Sequence, residues 1–180
     1  SDHTRRIAMP TTANPLPQLI APRLMKARDR VRNLIWPTTT DLKVVMGPIN
    51  DTLLPLAEAQ KQAFKPVRKG DTFGPGENAW KQRWFKVEIP APKAGEKGRR
   101  HLRWDVQGET TVWLDGTPWA GLDVGHRHCP LPDRACTLWL DCGLWVTGIW
   151  VPGSRGIDQF GPRFDGCQIA LRDEEAWNCF

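Results

Sequence analysis

Between Trp84 and Leu122 apolar and polar side chains alternate with the period of a half-buried sheet, and three short strands can be read directly from the chain. Phe85, Val87 and Ile89 share one face, as do Leu102, Trp104 and Val106, and then Thr110, Val112 and Leu114. The opposite faces carry Lys86 and Glu88, then His101, Arg103 and Asp105, then Thr111, Trp113 and Asp115. Gln107-Gly108 and Asp115-Gly116 separate the runs with residues that tolerate positive φ, which predicts two antiparallel hairpins. Later strands are expected at Cys136–Asp141, Trp145–Val151 and Cys167–Leu171, so that a sandwich occupies about residues 80–172.

The chain ahead of these strands reads differently. Residues 1–16 are rich in Thr, Pro and Arg, have little to bury, and form a disordered tail. Leu24, Ala27, Val31, Leu34 and Ile35 recur at spacings of three and four, the apolar stripe of a helix over Arg23–Trp36. Pro22 is expected in its first turn, where a missing N–H costs nothing, and Trp36-Pro37 ends it. Beyond it, Leu42, Val44 and Val45 suggest a strand and Gly47-Pro48 a turn. Asp51–Phe64 is a loop or broken helix, and Gly70–Ala79 a loop. The division is therefore a tail (1–16), a helix with a connecting segment (17–79), and a β-sandwich (80–180).

Several of these pieces carry a family resemblance. Phe73-Gly74-Pro75, Trp80, Trp84-Phe85-Lys86-Val87, Leu102-Arg103-Trp104-Asp105, Gly108-Glu109, Val112-Trp113-Leu114-Asp115-Gly116 and Gly121-Leu122 belong to the pattern of a galactose-binding-like jelly roll. Together they resemble the N-terminal domain of α-mannosidases of glycoside hydrolase family 38, in its cytosolic and vacuolar branch. The resemblance covers about Pro17 to Phe180. The basic helix stands where that branch has one, and Asp173-Glu174-Glu175-Ala176-Trp177 is similar to the segment that leads into the catalytic domain. It implies a mainly β jelly roll with an N-terminal helix. It also implies a retaining parent enzyme whose zinc is held by two His and two Asp, one of them the nucleophile. The family's His-x-Asp-x-Ala-Trp signature follows none of the four histidines (3, 101, 126, 128), so the resemblance places the catalytic domain outside this chain.

Charge changes the picture only locally. The net charge is +5, and all of that excess sits in residues 1–36, where seven basic side chains face two acids; the remainder balances 18 of each sign. A nucleic-acid-binding fold spreads basic charge over its folded surface, so no nucleic-acid partner is expected. No membrane partner is expected either: Pro10 breaks the short apolar run Ile7-Ala8-Met9, and no stretch is long enough to span a bilayer. The five cysteines (129, 136, 142, 167, 179) lack C-x-x-C spacing and read as free thiols in a reducing cytoplasm.

Candidate chemistry is sparse. His126, His128 and Cys129 with Cys136 and Cys142 form the densest ligand-like group, but Cys spacings of seven and six do not fit a zinc ribbon, and no metal site is assigned. Asp105, Glu109 and Asp115 read as turn and strand-end residues rather than a glycosidase pair, which needs carboxyls from opposed sides of a cleft. No catalytic or cofactor-binding residue is assigned. The ten Trp are the conspicuous feature. Trp113, Trp119, Trp145 and Trp150 are the candidates for a docking surface or a sugar platform, and Trp139 belongs to the same group.

The expectation is a non-catalytic accessory domain that docks on its own catalytic domain and aids oligomerisation. The parent acts on oligosaccharides with a divalent metal, zinc or similar, which this fragment itself does not bind. The alternative is a free-standing carbohydrate-binding module with a Trp platform.

Overall fold

The computed structural model describes residues 16–75, 80–144 and 162–180. In chain order the elements are α1 (Leu16–Leu34), β1 (Thr38–Asp41), β2 (Val44–Asn50), α2 (Leu56–Ala59), β3 (Lys65–Val67), β4 (Gln82–Ile89) and β5 (Arg99–Val106). There follow β6 (Glu109–Leu114), β7 (Thr117–Leu122), β8 (His128–Pro130), β9 (Cys136–Gly143), β10 (Phe164–Arg172) and α3 (Glu174–Cys179). The strands make two antiparallel sheets, one in the order β1-β10-β5-β8 and the other β3-β2-β4-β9-β6-β7. Expected strands at Cys136–Asp141 and Cys167–Leu171 lie within β9 and β10; Trp145–Val151 and the tail at 1–15 lie outside the described residues.

The alternation read from the sequence sets the core. Phe85, Val87 and Ile89 of β4 and Val112 and Leu114 of β6 face Leu102, Trp104 and Val106 of β5 across the sandwich, all of them buried. Trp104 is the central contact. Its ring meets Phe85 of the opposite sheet edge-on at 5.3 Å and Phe164 of β10 at 5.8 Å. Its indole N–H donates across the interlayer gap to Thr110 Oγ1 at 3.1 Å, so a large ring is buried without leaving its donor unpaired. At one end of the sandwich the buried Arg83 guanidinium donates to the carbonyls of Gly47 and Phe73, tying the loop before β4 to β2.

Four expectations require correction. The segment over 17–79 is not a connector outside the sandwich: β1, β2 and β3 supply both sheets, so the fold begins near residue 38 rather than 80. Gly47-Pro48 does not turn the chain; β2 runs through it, and the register against β4 shifts between Met46 and Ile49 as a bulge. Pro22 lies inside α1, which starts at Leu16, six residues earlier than proline chemistry alone indicates. Asp115-Gly116 is the expected hairpin, with both residues at positive φ, but Gln107-Gly108 is not, because β5 and β6 belong to different sheets. Gly108 (φ 114) instead turns the chain from one layer to the other.

That corner generates a test. A Cβ at Gly108 would lie 2.6 Å from the Gly143 carbonyl oxygen, whereas one at Gly116 (φ 81) meets nothing within 4 Å. Gly108→Ala therefore carries both backbone strain and a clash with backbone, and should cost about 2–4 kcal/mol. Gly116→Ala carries strain alone and should cost about 1 kcal/mol. Urea unfolding of both variants checks the order; equal losses would show that the Gly108 corner can relax.

Candidate functional site

With one face of each sheet consumed by the core, chemistry has to come from the two outer faces, the rims and the helices. On the outer face of the four-stranded sheet, His101 of β5 and His128 of β8 lie with ring centroids 5.6 Å apart. Trp36, just past α1, packs edge-on against both, at 5.3 and 5.1 Å. Trp177 of α3 meets His128 at 5.8 Å, and the buried Arg172 guanidinium stacks over Trp177 at 4.6 Å while pairing with Glu174 at 2.8 Å. The Asp173 N–H donates to the Ile35 carbonyl at 2.9 Å, and the Asp173 side chain caps α3 by accepting from Ala176 N–H. These contacts clasp both helices to one sheet.

Burial pulls the pKa of both histidines below the ordinary imidazole value, and Arg172 adds to it for each; the Arg99 carbonyl bonded to His101 Nδ1 partly offsets the shift there. Both are therefore held neutral near pH 7, which suits their edge-on packing against Trp.

The outer face of the six-stranded sheet is aromatic. Trp84 is 1% exposed; its indole N–H donates to the Leu54 carbonyl at 3.1 Å. Gln82 holds the same residue twice, accepting from Leu54 N–H at 2.8 Å and donating to its carbonyl at 3.2 Å. The segment around α2 is thus laid over this face. Trp113 lies 6.2 Å from Trp84, and Trp139 packs on Phe64 at 5.5 Å with the Lys86 ammonium over its ring. Burial raises the Asp141 pKa, opposed by a hydrogen bond from Gln82.

Of the four Trp singled out in the sequence, Trp113 is half-buried on this outer face, and its Nε1 has no partner among the described residues. Trp119 sits on the edge strand β7, 45% exposed, donating to the Pro130 carbonyl of β8 at 2.8 Å and so bridging the rims of the two sheets. Trp145 and Trp150 lie outside the described residues. The structure does not bring Trp113 and Trp119 onto one flat platform: one belongs to the sheet face, the other to the rim.

The carboxylates considered for catalysis are spread out. Asp105 sits near Arg103 (3.7 Å) and Arg127 (3.4 Å), and Asp115 pairs with Arg134. His126 is exposed and pairs with Asp123 at 3.1 Å. Among the described residues no group of three or more His, Cys, Asp or Glu is placed to hold a metal ion. No helix among them is long and apolar enough to cross a membrane.

All five cysteines are free. Burial pushes the Cys129 and Cys142 thiols up to about 12 and raises Cys167 and Cys136 as well, the reverse of what a nucleophilic thiol needs.

The Trp36–His101–His128–Trp177 clasp was not found from the sequence. The polar face of β5 signalled that His101 points away from the core, but its partners lie 27 to 76 residues away and only the strand order joins them.

The architecture defines an antiparallel jelly-roll module whose outer faces carry aromatic clusters. The family model for the jelly-roll domain of alpha-mannosidase matches residues 37–138, more than half of the chain, and the chain belongs to that family. It is 35% identical over 92 residues to human alpha-mannosidase 2C1, covering 51% of this chain and 9% of that protein. To the mouse alpha-mannosidase 2C1 it is 42% identical over 69 residues, covering 38% of this chain and 6% of the relative. To alpha-mannosidase G of Dictyostelium discoideum it is 31% identical over 68 residues, again 38% of this chain and 6% of the relative. The matched segment thus spans less than a tenth of each of these relatives. The resemblance to the N-terminal domain of family 38 α-mannosidases and the jelly-roll expectation are both borne out.

Two tests follow from the clasp and the thiols. Because the folded histidine pKa values lie below the unfolded value of about 6.5, the native state binds fewer protons than the unfolded chain as pH falls through that value. Stability should be flat with respect to these groups above pH 7 and decline as pH falls below about 6.5, by at most about 1.4 kcal/mol per pH unit for each histidine. In His101→Phe/His128→Phe that part of the slope should vanish; an unchanged slope would remove the clasp from the titration.

For the thiols, alkylation of the native protein should modify exposed Cys179 first and leave Cys129, Cys142 and Cys167 unmodified until denaturant is added. Under denaturing, non-reducing conditions all five should react. A product with three modifications would reveal a disulfide.

Proposed function

We infer that the chain is the non-catalytic N-terminal accessory domain of a cytoplasmic α-mannosidase, docking on the catalytic domain and aiding oligomer assembly. The parent hydrolyses α-linked mannose from oligosaccharides with retention, and its divalent metal, zinc or a similar ion, belongs to the catalytic domain. Family membership supports the parent.

The observation that carries docking is α1. Of the stripe marked in the sequence, Leu24 (64% exposed), Ala27 and Leu34 (60%) face solvent, Val31 is half-buried and Ile35, just past the helix, is buried; Leu19 and Ile20, ahead of that stripe, are each 49% exposed. Trp177 and Phe180 at the other helical appendage are exposed as well. A single exposed leucine means little, but an amphipathic helix whose apolar stripe is left uncovered marks an interface. On this reading the docking surface lies on the helices, whereas the sequence pointed to sheet-face Trp residues.

The second reading, a glycan platform, draws on the half-buried Trp113, whose Nε1 has no partner among the described residues and which shares a sheet face with Trp139 and Asp141. Sugar sites commonly pair an aromatic face with such polar groups.

Titration of Trp fluorescence with mannose and mannobiose, alongside sedimentation of the same sample, separates the two. Docking predicts no saturable response to sugar and concentration-dependent self-association, which Leu24→Asp abolishes while leaving the Tm within about 2 °C because the site is exposed. Saturable quenching of a monomer would overturn docking in favour of the platform. A chromogenic α-mannoside should not be turned over with any added divalent metal.

A further inference from the structure

The two sheets have four edge strands among the described residues: β3 and β7 in the larger sheet, β1 and β8 in the smaller. Edges expose unpaired backbone groups and are usually blunted. Here three are blunted by proline, Pro66 in β3, Pro118 in β7 and Pro130 in β8, and β1 (Thr38-Thr39-Thr40-Asp41) has none. All four of its residues are exposed.

The backbone direction follows from the ladder. Leu42 N–H donates to the Cys167 carbonyl at 2.9 Å, and in the same register Thr40 faces Ile169 and Thr38 faces Leu171. In an antiparallel pair the residues of one parity turn both N–H and C=O to the neighbour. Thr38 and Thr40 are therefore bonded to β10, and the N–H and C=O of Thr39 and Asp41 point outward, unpaired by any described residue.

Beside this edge lies a cavity of about 280 Å³, lined by Thr38, Thr40, Ile169, Leu171 and the Pro90–Glu96 loop with Ala91 and Ala94. The buried Arg100 forms part of the wall and is occupied by Glu96 (3.1 Å) and the Pro90 carbonyl (2.7 Å). Lys93 lines the cavity with no acidic partner for its ammonium among the described residues.

We propose that β1 is a peptide-acceptor edge: an extended segment of another polypeptide adds as a strand beside β1, pairing with Thr39 and Asp41. Side chains at alternate positions of that segment face the same way as Thr38 and Thr40, so one apolar residue of Leu or Phe size enters the cavity. The Lys93 ammonium, without an acidic partner among the described residues, favours a carboxylate nearby in the segment. A second copy of this chain is a poor occupant, because its own β1 would offer only threonine side chains to a cavity of about 280 Å³. This assignment stands independently of docking through α1.

The probe is the blocked peptide acetyl-Thr-Leu-Thr-Leu-Thr-Glu-amide, titrated into the isotopically labelled chain and followed by amide resonances. Saturable shifts are expected at Thr39 and Asp41 and at the cavity residues Ile169 and Leu171, with slowed exchange of the Thr39 and Asp41 amides. The same peptide N-methylated at alternate amides keeps its side chains but loses strand donors, and should bind at least tenfold more weakly. Thr39→Pro removes an outward N–H without touching the bonds to β10, and should weaken binding at least tenfold with the Tm within about 2 °C. Absence of saturable shifts, shifts that map elsewhere, or equal binding of the N-methylated peptide would overturn the proposal. So would shifts of Thr39 and Asp41 that depend on protein concentration alone, since these would give the edge to a second copy.

Discussion

Everything in this fold depends on Trp104 being buried between two sheets with its indole N–H satisfied. The ring spans the gap to Phe85 and reaches Phe164, and Thr110 accepts its proton from the opposite layer. A ring of this size contributes a large apolar area to the core, and its donor would cost about 1–3 kcal/mol if left unpaired. The hydroxyl of Thr110 therefore supplies a polar tie between the two layers. Since β5 and β6 belong to different sheets yet follow one another, the short corner at Gly108 brings donor and acceptor together.

That arrangement assigns the rest of the molecule its tasks. The core consumes one face of each sheet, and segments of the same chain lie over the others: the α2 segment is pinned to Trp84 and Gln82, while α1 and α3 are clasped through Trp36, Trp177 and two neutral histidines. Large apolar side chains left to solvent include Leu19, Ile20, Leu24, Met25 and Leu34 on α1 and Trp177 and Phe180 at the C-terminal end, with Ile49, Leu53, Trp80 and Trp119 exposed elsewhere. The exposed apolar stripe of α1 is the feature on which the proposed docking rests.

Much of this was legible in the sequence where local chemistry decides. The faces of β4, β5 and β6 follow from strict alternation, and Asp115-Gly116 makes a hairpin because both residues sit at positive φ. What was not legible depends on long-range pairing. Gln107-Gly108 carries the same turn signal as a hairpin, and only the partners of β5 and β6 reveal a crossover. β2 contains Gly47-Pro48, a local turn signal overridden by ladders to β3 and β4 on either side, at the cost of a bulge. The histidine clasp joins residues 36, 101, 128 and 177, and no periodicity links them. For the candidate Trp residues, side-chain type could be read along the chain but environment could not: Trp119 donates its N–H to Pro130, whereas that of Trp113 is unpaired among the described residues.

The most direct test of docking is hydrogen exchange on the isolated chain and on the same residues within the longer α-mannosidase chain proposed as its parent. If the helices are the attachment surface, amides over residues 19–34 and 174–179 should exchange at least tenfold more slowly in the longer chain, while the already protected strands β4, β5 and β9 change little. Equal exchange over α1 and α3 in the two settings would contradict attachment through the helices.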